Sequence, residues 1–191
     1  KPLEQRMLFE YRLEIMHGKY LLPKGMHKMR GIEPLGYIFV TPVTEQIEKT
    51  KEKLIYISMG TVNNKMLPLY KNMVEALARP GYQVVLSVGA QIRPEELGPL
   101  PGNVSAFSHV DQIAVLEKAD LFFSHCGMNS VSESLYMAAP MVLYPQTSEQ
   151  KAVARRVMEI GAGTALNDDS VDGIRASVHE ILSNSDYGKA A

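Results

Sequence analysis

A chain of 191 residues with 46% hydrophobic and 21% charged side chains can bury a core of its own and is too apolar for disorder. A formal net charge of −1 removes bulk charge as a reason to bind nucleic acid or another polyanion. One cysteine excludes an internal disulfide and makes a reducing, cytoplasmic setting the expectation, while no apolar run reaches membrane-spanning length and no signal-peptide layout opens the chain.

The chain opens on lysine rather than methionine, the expectation for a piece of a longer protein. Leu3, Met7, Tyr11 and Ile15 recur every four residues, which predicts an amphipathic helix over 3–17 whose apolar face needs a partner surface. Leu35 to Val40 then reads as a strand, and the polar stretch Thr44 to Lys53 as a flexible connector. From there short apolar runs alternate with helical periodicity. Leu54 to Ser58, Gln83 to Val88, Val104 to Phe107, Leu121 to Phe123 and Met141 to Leu143 read as strands. Helices are predicted over Pro68 to Arg79, Gln112 to Lys118, Asn129 to Met137, Glu149 to Ile160 and Val171 to Leu182, with Gly81 and Gly161 just past two of their ends. Strands that are apolar on both faces and separated by helices indicate an α/β fold with a parallel, Rossmann-like sheet covered on two sides. Ligands in such sheets bind beyond the carboxyl ends of the strands.

Those strand ends collect the polar residues. Ser58-Met59-Gly60-Thr61 leaves the first core strand, either as an ordinary turn or as a glycine and hydroxyls offered to an anion. His125 falls at the end of another strand, and Gly127-Met128-Asn129-Ser130 forms the first turn of the next helix. The amides and dipole of such a turn suit a phosphate. Glu133 lies three residues beyond Ser130 and hence on the same helix face. The plainer alternatives are a core histidine, Ser130 as a cap and Glu133 as a solvated charge. Cys126 reads as a packed side chain in a tight turn, and its adjacency to His125 makes joint chelation of zinc geometrically awkward. After the next strand, Glu149 and Gln150 either serve the helix dipole with Ser148 as cap, or share the hydroxyls of a sugar. His109 supplies a flat ring at the same edge, or is a surface histidine. Asp168-Asp169 are contiguous rather than spaced as Asp-x-Asp and read as caps for the helix after Ser170.

His125-Cys126-Gly127-Met128-Asn129-Ser130, Glu133, Ala139-Pro140-Met141, Pro145-Gln146 and Glu149-Gln150, preceded by Ser58-Met59-Gly60-Thr61, Leu86-Ser87-Val88-Gly89 and His109-Val110-Asp111-Gln112-Ile113-Ala114-Val115-Leu116, resemble the donor-binding signature of the UDP-glycosyltransferase family. The resemblance covers about residues 35 to 185. It implies the carboxyl-terminal, nucleotide-sugar half of a GT-B fold enzyme, with residues 41–191 as the donor domain and 1–40 as a linker or the tail of an amino-terminal acceptor domain. His125, Gly127, Asn129 and Ser130, with Ser58, Gly60 and Thr61 from the facing loop, would then meet the diphosphate, and Glu133 the ribose hydroxyls. The base would stack on His109 and bond the backbone of Val110; Glu149 and Gln150 would hold the sugar.

The implied reaction is inverting transfer from a UDP-hexose such as UDP-glucose to a hydroxyl of a small-molecule acceptor, with no cofactor and no metal. The general base would come from the acceptor half, so no catalytic residue is expected in this chain. A non-catalytic UDP-sugar binding module and a GT-B UDP-sugar epimerase are the alternatives. The sequence departs from the family at His109, where tryptophan is usual, at Asp111, which replaces proline, and at Val153, where asparagine is common.

Overall fold

The computed structural model of the chain describes residues 47–60 and 66–191. The helix expected over 3–17, the strand over Leu35 to Val40 and the candidate Thr61 lie outside the described residues. The described chain runs β1 (Lys53–Ser58), α1 (Leu67–Leu77), β2 (Tyr82–Ser87), a 3-10 turn (Pro94–Leu97), β3 (Val104–Phe107), α2 (Gln112–Leu116), β4 (Leu121–Ser124), α3 (Met128–Tyr136), β5 (Met141–Leu143), α4 (Ser148–Glu159), β6 (Gly163–Ala165), α5 (Val171–Ser183) and α6 (Ser185–Ala190). All strand pairs are parallel, in the order β3-β2-β1-β4-β5-β6. That is the doubly wound order, whose direction reverses between β1 and β4.

The pleat distributes the apolar runs to two cores. Ile55 and Ile57 of β1, Val84 and Leu86 of β2 and Phe123 of β4 pack under α1 and α5, against Tyr70, Met73, Ile174 and Val178. Leu54, Tyr56, Val85 and Phe122 face the other way, against Val115 of α2, Val131 and Leu135 of α3 and Val157 of α4. Period-2 alternation between two apolar faces is what makes these strands read as continuous apolar runs.

Three elements escape the sequence patterns: the 3-10 turn, β6 and α6. β6 is a three-residue Gly-Thr-Ala edge strand with no apolar run. Its glycine is a packing requirement, because a Cβ on Gly163 would sit 2.4 Å from the Met141 carbonyl oxygen. Helix α1 stops at Leu77 rather than Arg79, since Pro80 disfavours helical backbone in the residue before it. The Asn103 amide then donates to the Leu77 and Tyr82 carbonyls at 3.0 and 3.1 Å.

Residues 47–52 carry no regular structure, yet they are not the flexible connector that their polarity suggests. The Gln83 side chain accepts from Thr50 N at 2.7 Å and donates to the Glu48 carbonyl at 2.8 Å, mimicking a strand neighbour. Lys49 Nζ lies 2.6 Å from Asp120 Oδ2, and Lys118 Nζ donates to the Ile47 carbonyl at 3.0 Å. Polar side chains strap this segment to the domain.

Candidate functional site

Parallel register brings the carboxyl ends of all six strands to one edge. Ser58 of β1 stands level with Ser87 of β2 on one side and Ser124 of β4 on the other, so three buried serines cross the middle of the sheet in one row. Above that row the chain reverses direction between β1 and β4, which is where an open α/β sheet leaves a crevice for a ligand.

His125 fills that crevice. A Cβ built on Gly60 would lie 2.6 Å from His125 Nε2, and one on Gly127 would lie 2.5 Å from it. Both positions therefore need glycine for the ring to sit between the two loops. Gly60 needs it twice over, because its φ of +79° is the left-handed region. Burial is the main influence on the imidazole and holds its pKa below the ordinary 6.5; the Ser58 carbonyl pulls the other way. Nδ1 is buried and makes no hydrogen bond of good geometry to that carbonyl. The resting ring is neutral at pH 7.

Cys126 makes the turn possible at a cost. Its φ of 67° is left-handed, a conformation that costs a non-glycine residue roughly 1–2 kcal/mol. Its amide donates to Ser124 Oγ at 3.1 Å, which offsets part of the strain. The thiol is buried, and burial pushes its pKa up to about 12, so it is no thiolate nucleophile. Helix α3 follows with Gly127 as N-cap and no side-chain cap. Its first internal bond runs from Val131 N to the Gly127 carbonyl at 3.0 Å. The amides of Met128, Asn129 and Ser130 precede that bond and point out of the helix start beside His125. Ser130 is thus the third residue of the helix and not its cap.

A second group lies one turn deeper. The Gln112 amide nitrogen donates to Ser130 Oγ at 3.2 Å and to Glu133 Oε2, and its carbonyl oxygen accepts from the Tyr56 hydroxyl at 3.1 Å. Burial raises the Glu133 pKa, the Gln112 amide lowers it, and the nearby Asp111 charge raises it. Asp111 itself caps α2 by accepting from Ala114 N at 3.1 Å. β3 is separated from β4 by two strands, about 14 Å of sheet. The segment from exposed His109 through Val110 leads from β3 into α2, the Gln112 side chain makes the reach to Tyr56 and Ser130, and Val110 packs into the same core as Val115. Gln112 and Tyr56 had no role in the sequence reading; a polar residue at the first position of a helix gives no sign that it reaches another helix.

Several expectations need correction. The Ser58 side chain is buried beside the Tyr56 phenol rather than exposed at the strand end. Helix α4 is capped by Thr147 and not by Ser148. Gln150 completes a capping box: its amide oxygen accepts from Gln146 N at 2.8 Å and Thr147 N at 3.2 Å, leaving only its NH2 for a ligand. Glu149 is exposed in the first turn of that helix. Val153 is buried in the core and offers no polar contact. The helix after Ser170 is capped by Ser170 itself, which accepts from Gly173 N at 3.2 Å; Asp168 bonds Ser170 N, and Asp169 accepts from the Tyr144 hydroxyl.

Residues 71–191 match the family model described as the erythromycin biosynthesis protein CIII-like C-terminal domain. The chain belongs to this family of glycosyltransferase carboxyl-terminal domains. It is 39% identical over 140 residues to the NDP-glycosyltransferase YjiC of Bacillus subtilis, covering 72% of this chain and 36% of the relative. It is 32% identical over 179 residues to a protein of the same organism named an uncharacterized UDP-glucosyltransferase, YojK, covering 85% of this chain and 44% of the relative. The solved kitacinnamycin glycotransferase superposes with a TM-score of 0.71 at 35% identity, over 76% of this chain and 38% of that one. The chain thus spans about two fifths of the length of these relatives, and its domain is the carboxyl-terminal, nucleotide-sugar side of the GT-B architecture. Among the described residues no helix is long and apolar enough to cross a membrane.

Proposed function

We propose that this domain binds a UDP-hexose, with UDP-glucose the first candidate, for inverting and metal-independent transfer to a hydroxyl of a small-molecule acceptor held by an amino-terminal domain. Residues 41–191 constitute the donor domain in this reading, and residues 1–40 the linker or tail of the acceptor half. The reaction belongs to the reducing cytoplasm, in keeping with a single buried cysteine. The observation that carries the reading is the neutral His125 ring wedged between Gly60 and Gly127, at the uncapped start of α3 and over the point where strand order reverses.

Each part has a task in the chemistry. Breaking the glycosidic bond to the diphosphate leaves negative charge on the leaving oxygen. Preorganised amides, a helix dipole and an imidazole stabilise that charge more in the transition state than in the ground state. Gly127, Asn129 and Ser130 supply the helix start, His125 the ring, and Gly60 and Thr61 the facing loop. A neutral imidazole accepts a proton as the dianionic group approaches, so charge is added where it is needed. Glu133, braced by Gln112, accepts from the two ribose hydroxyls, which favours UDP over a deoxythymidine carrier; the name of YojK supports the same nucleotide. His109 and the Val110 backbone take the base, and Glu149 with the Gln150 NH2 the hexose. The proton of the acceptor hydroxyl goes to a base of the acceptor domain.

Titration calorimetry of the chain with UDP, UDP-glucose and dTDP-glucose tests the reading. Binding of UDP and UDP-glucose, with dTDP-glucose weaker, is expected. No heat with any of the three defeats it, and UDP binding undiminished in His125→Ala removes His125 from the diphosphate.

A further inference from the structure

Beneath Glu133 lies a buried cluster that nucleotide binding leaves unexplained. Tyr56 is 1% exposed, and its ring stacks on Phe122 with centroids 5.0 Å apart and planes 11° from parallel, so the phenol has one position. The Ser58 and Ser87 hydroxyls lie beside the phenol. The phenol donates to the Gln112 carbonyl oxygen at 3.1 Å. A glutamine amide has two orientations that differ only in which end donates. With Tyr56 donating to its oxygen, the NH2 end turns to Ser130 Oγ and Glu133 Oε2; with the amide reversed, its oxygen would face a carboxylate, acceptor against acceptor.

We propose that Tyr56 is a positioning residue: acting through Gln112, it fixes the Glu133 carboxylate as an acceptor for two neighbouring sugar hydroxyls and so sets how strictly the site demands a diol on its nucleotide. The inference rests on the nucleotide-sugar reading above for its ligand, but the relay itself is a property of the unliganded chain. Three elements meet in it, β1 through Tyr56, α2 through Gln112 and α3 through Ser130 and Glu133. Among the described residues, the ionisable groups that bear on Glu133 are Asp111 at the start of α2 and the Tyr56 phenol. Asp111 raises the Glu133 pKa, and the Gln112 bond opposes it. Releasing Gln112 from Tyr56 therefore favours the protonated carboxyl, which no longer accepts from both hydroxyls.

The test combines a titration with a nucleotide pair. Carbon-13 NMR of the Glu133 side-chain carboxyl in the ligand-free chain should show its midpoint moving to higher pH in Tyr56→Phe. An unmoved midpoint overturns the relay, whether or not any nucleotide binds. UDP affinity should fall about tenfold in Tyr56→Phe while 2′-deoxy-UDP affinity changes less than twofold, because the deoxy sugar offers no diol. Equal losses for both nucleotides, tracking a lower melting temperature, would mean that Tyr56 is only a core residue, and that overturns the proposal. Gln112→Leu serves where Tyr56→Phe does not fold: it must raise the Glu133 midpoint as well, and adding Tyr56→Phe to it should produce no further rise. Additive shifts would show that Tyr56 does not act through Gln112. If the unaltered chain binds neither nucleotide, the donor reading fails while the titration still decides the relay.

Discussion

Helices α3 and α4 leave adjacent strands at the same edge of the sheet, yet α4 closes its own amino end and α3 leaves its end open. In α4, Thr147 accepts from Gln150 N at 3.2 Å, and the Gln150 side chain returns to the backbone amides of Gln146 and Thr147. In α3, glycine occupies the N-cap, and the side chain packed against it is the neutral ring of His125 from the loop after β4. A capping box is worth about 1 kcal/mol to a helix, and α3 forgoes it. The difference separates a helix start closed for stability from one left open, which is what the proposed diphosphate site requires.

The largest expected break comes from Gly127→Ala. The φ of −64° at Gly127 suits any residue, so the fold should hold with a melting temperature within a few degrees of the parent. The new Cβ displaces the His125 ring, and UDP affinity measured by calorimetry should fall about 100-fold, or about 2.7 kcal/mol. Next is His125→Gln, which removes the proton-accepting ring and should weaken UDP about tenfold at pH 6.5. In the parent, affinity should rise as pH falls from 8 towards 6, because the diphosphate raises the pKa of a ring that burial holds low; the variant should lose that slope.

The same shift has the opposite sign for folding. Below pH 6.5 the unfolded imidazole binds a proton that the folded ring resists, so the ligand-free parent should lose stability as pH falls through that range, and His125→Gln should lose less. Thr147→Ala reverses the comparison: chemical denaturation should show a loss of about 1 kcal/mol, while UDP affinity stays within twofold. The smallest effect is expected from EDTA, which should leave UDP binding unchanged; a loss restored by Mg²⁺ would contradict metal independence.

The sheet was legible in the sequence because strands apolar on both faces, such as Leu54 to Ser58 and Leu121 to Phe123, leave little choice of environment. Helix bounds followed from Pro68 and Gly161 to within a few residues. What escaped were elements and contacts with no local signature. β6 is a strand because Gly163 can approach Met141, and Gln83 is a strap because its amide matches the backbone of residues 48–50. In the site, His125 was legible from its place at a strand end, but its reliance on Gly60 required two loops 65 residues apart in the chain to be seen side by side. Gln112 could not be found from spacing, since its partners Tyr56, Ser130 and Glu133 lie on two other elements. Caps were misplaced by one residue at Thr147, where two neighbouring hydroxyls offer the same chemistry to the same backbone.

The strained turn at Cys126 gives the chain an experimental convenience. Its sole sulfhydryl is sealed in the core and stays protonated through neutral pH, so the protein offers maleimide reagents almost no background. A cysteine introduced at exposed His109 or Glu149 would take a fluorophore at a single address. Such a reporter would watch each side of the cleft separately as a nucleotide sugar arrives.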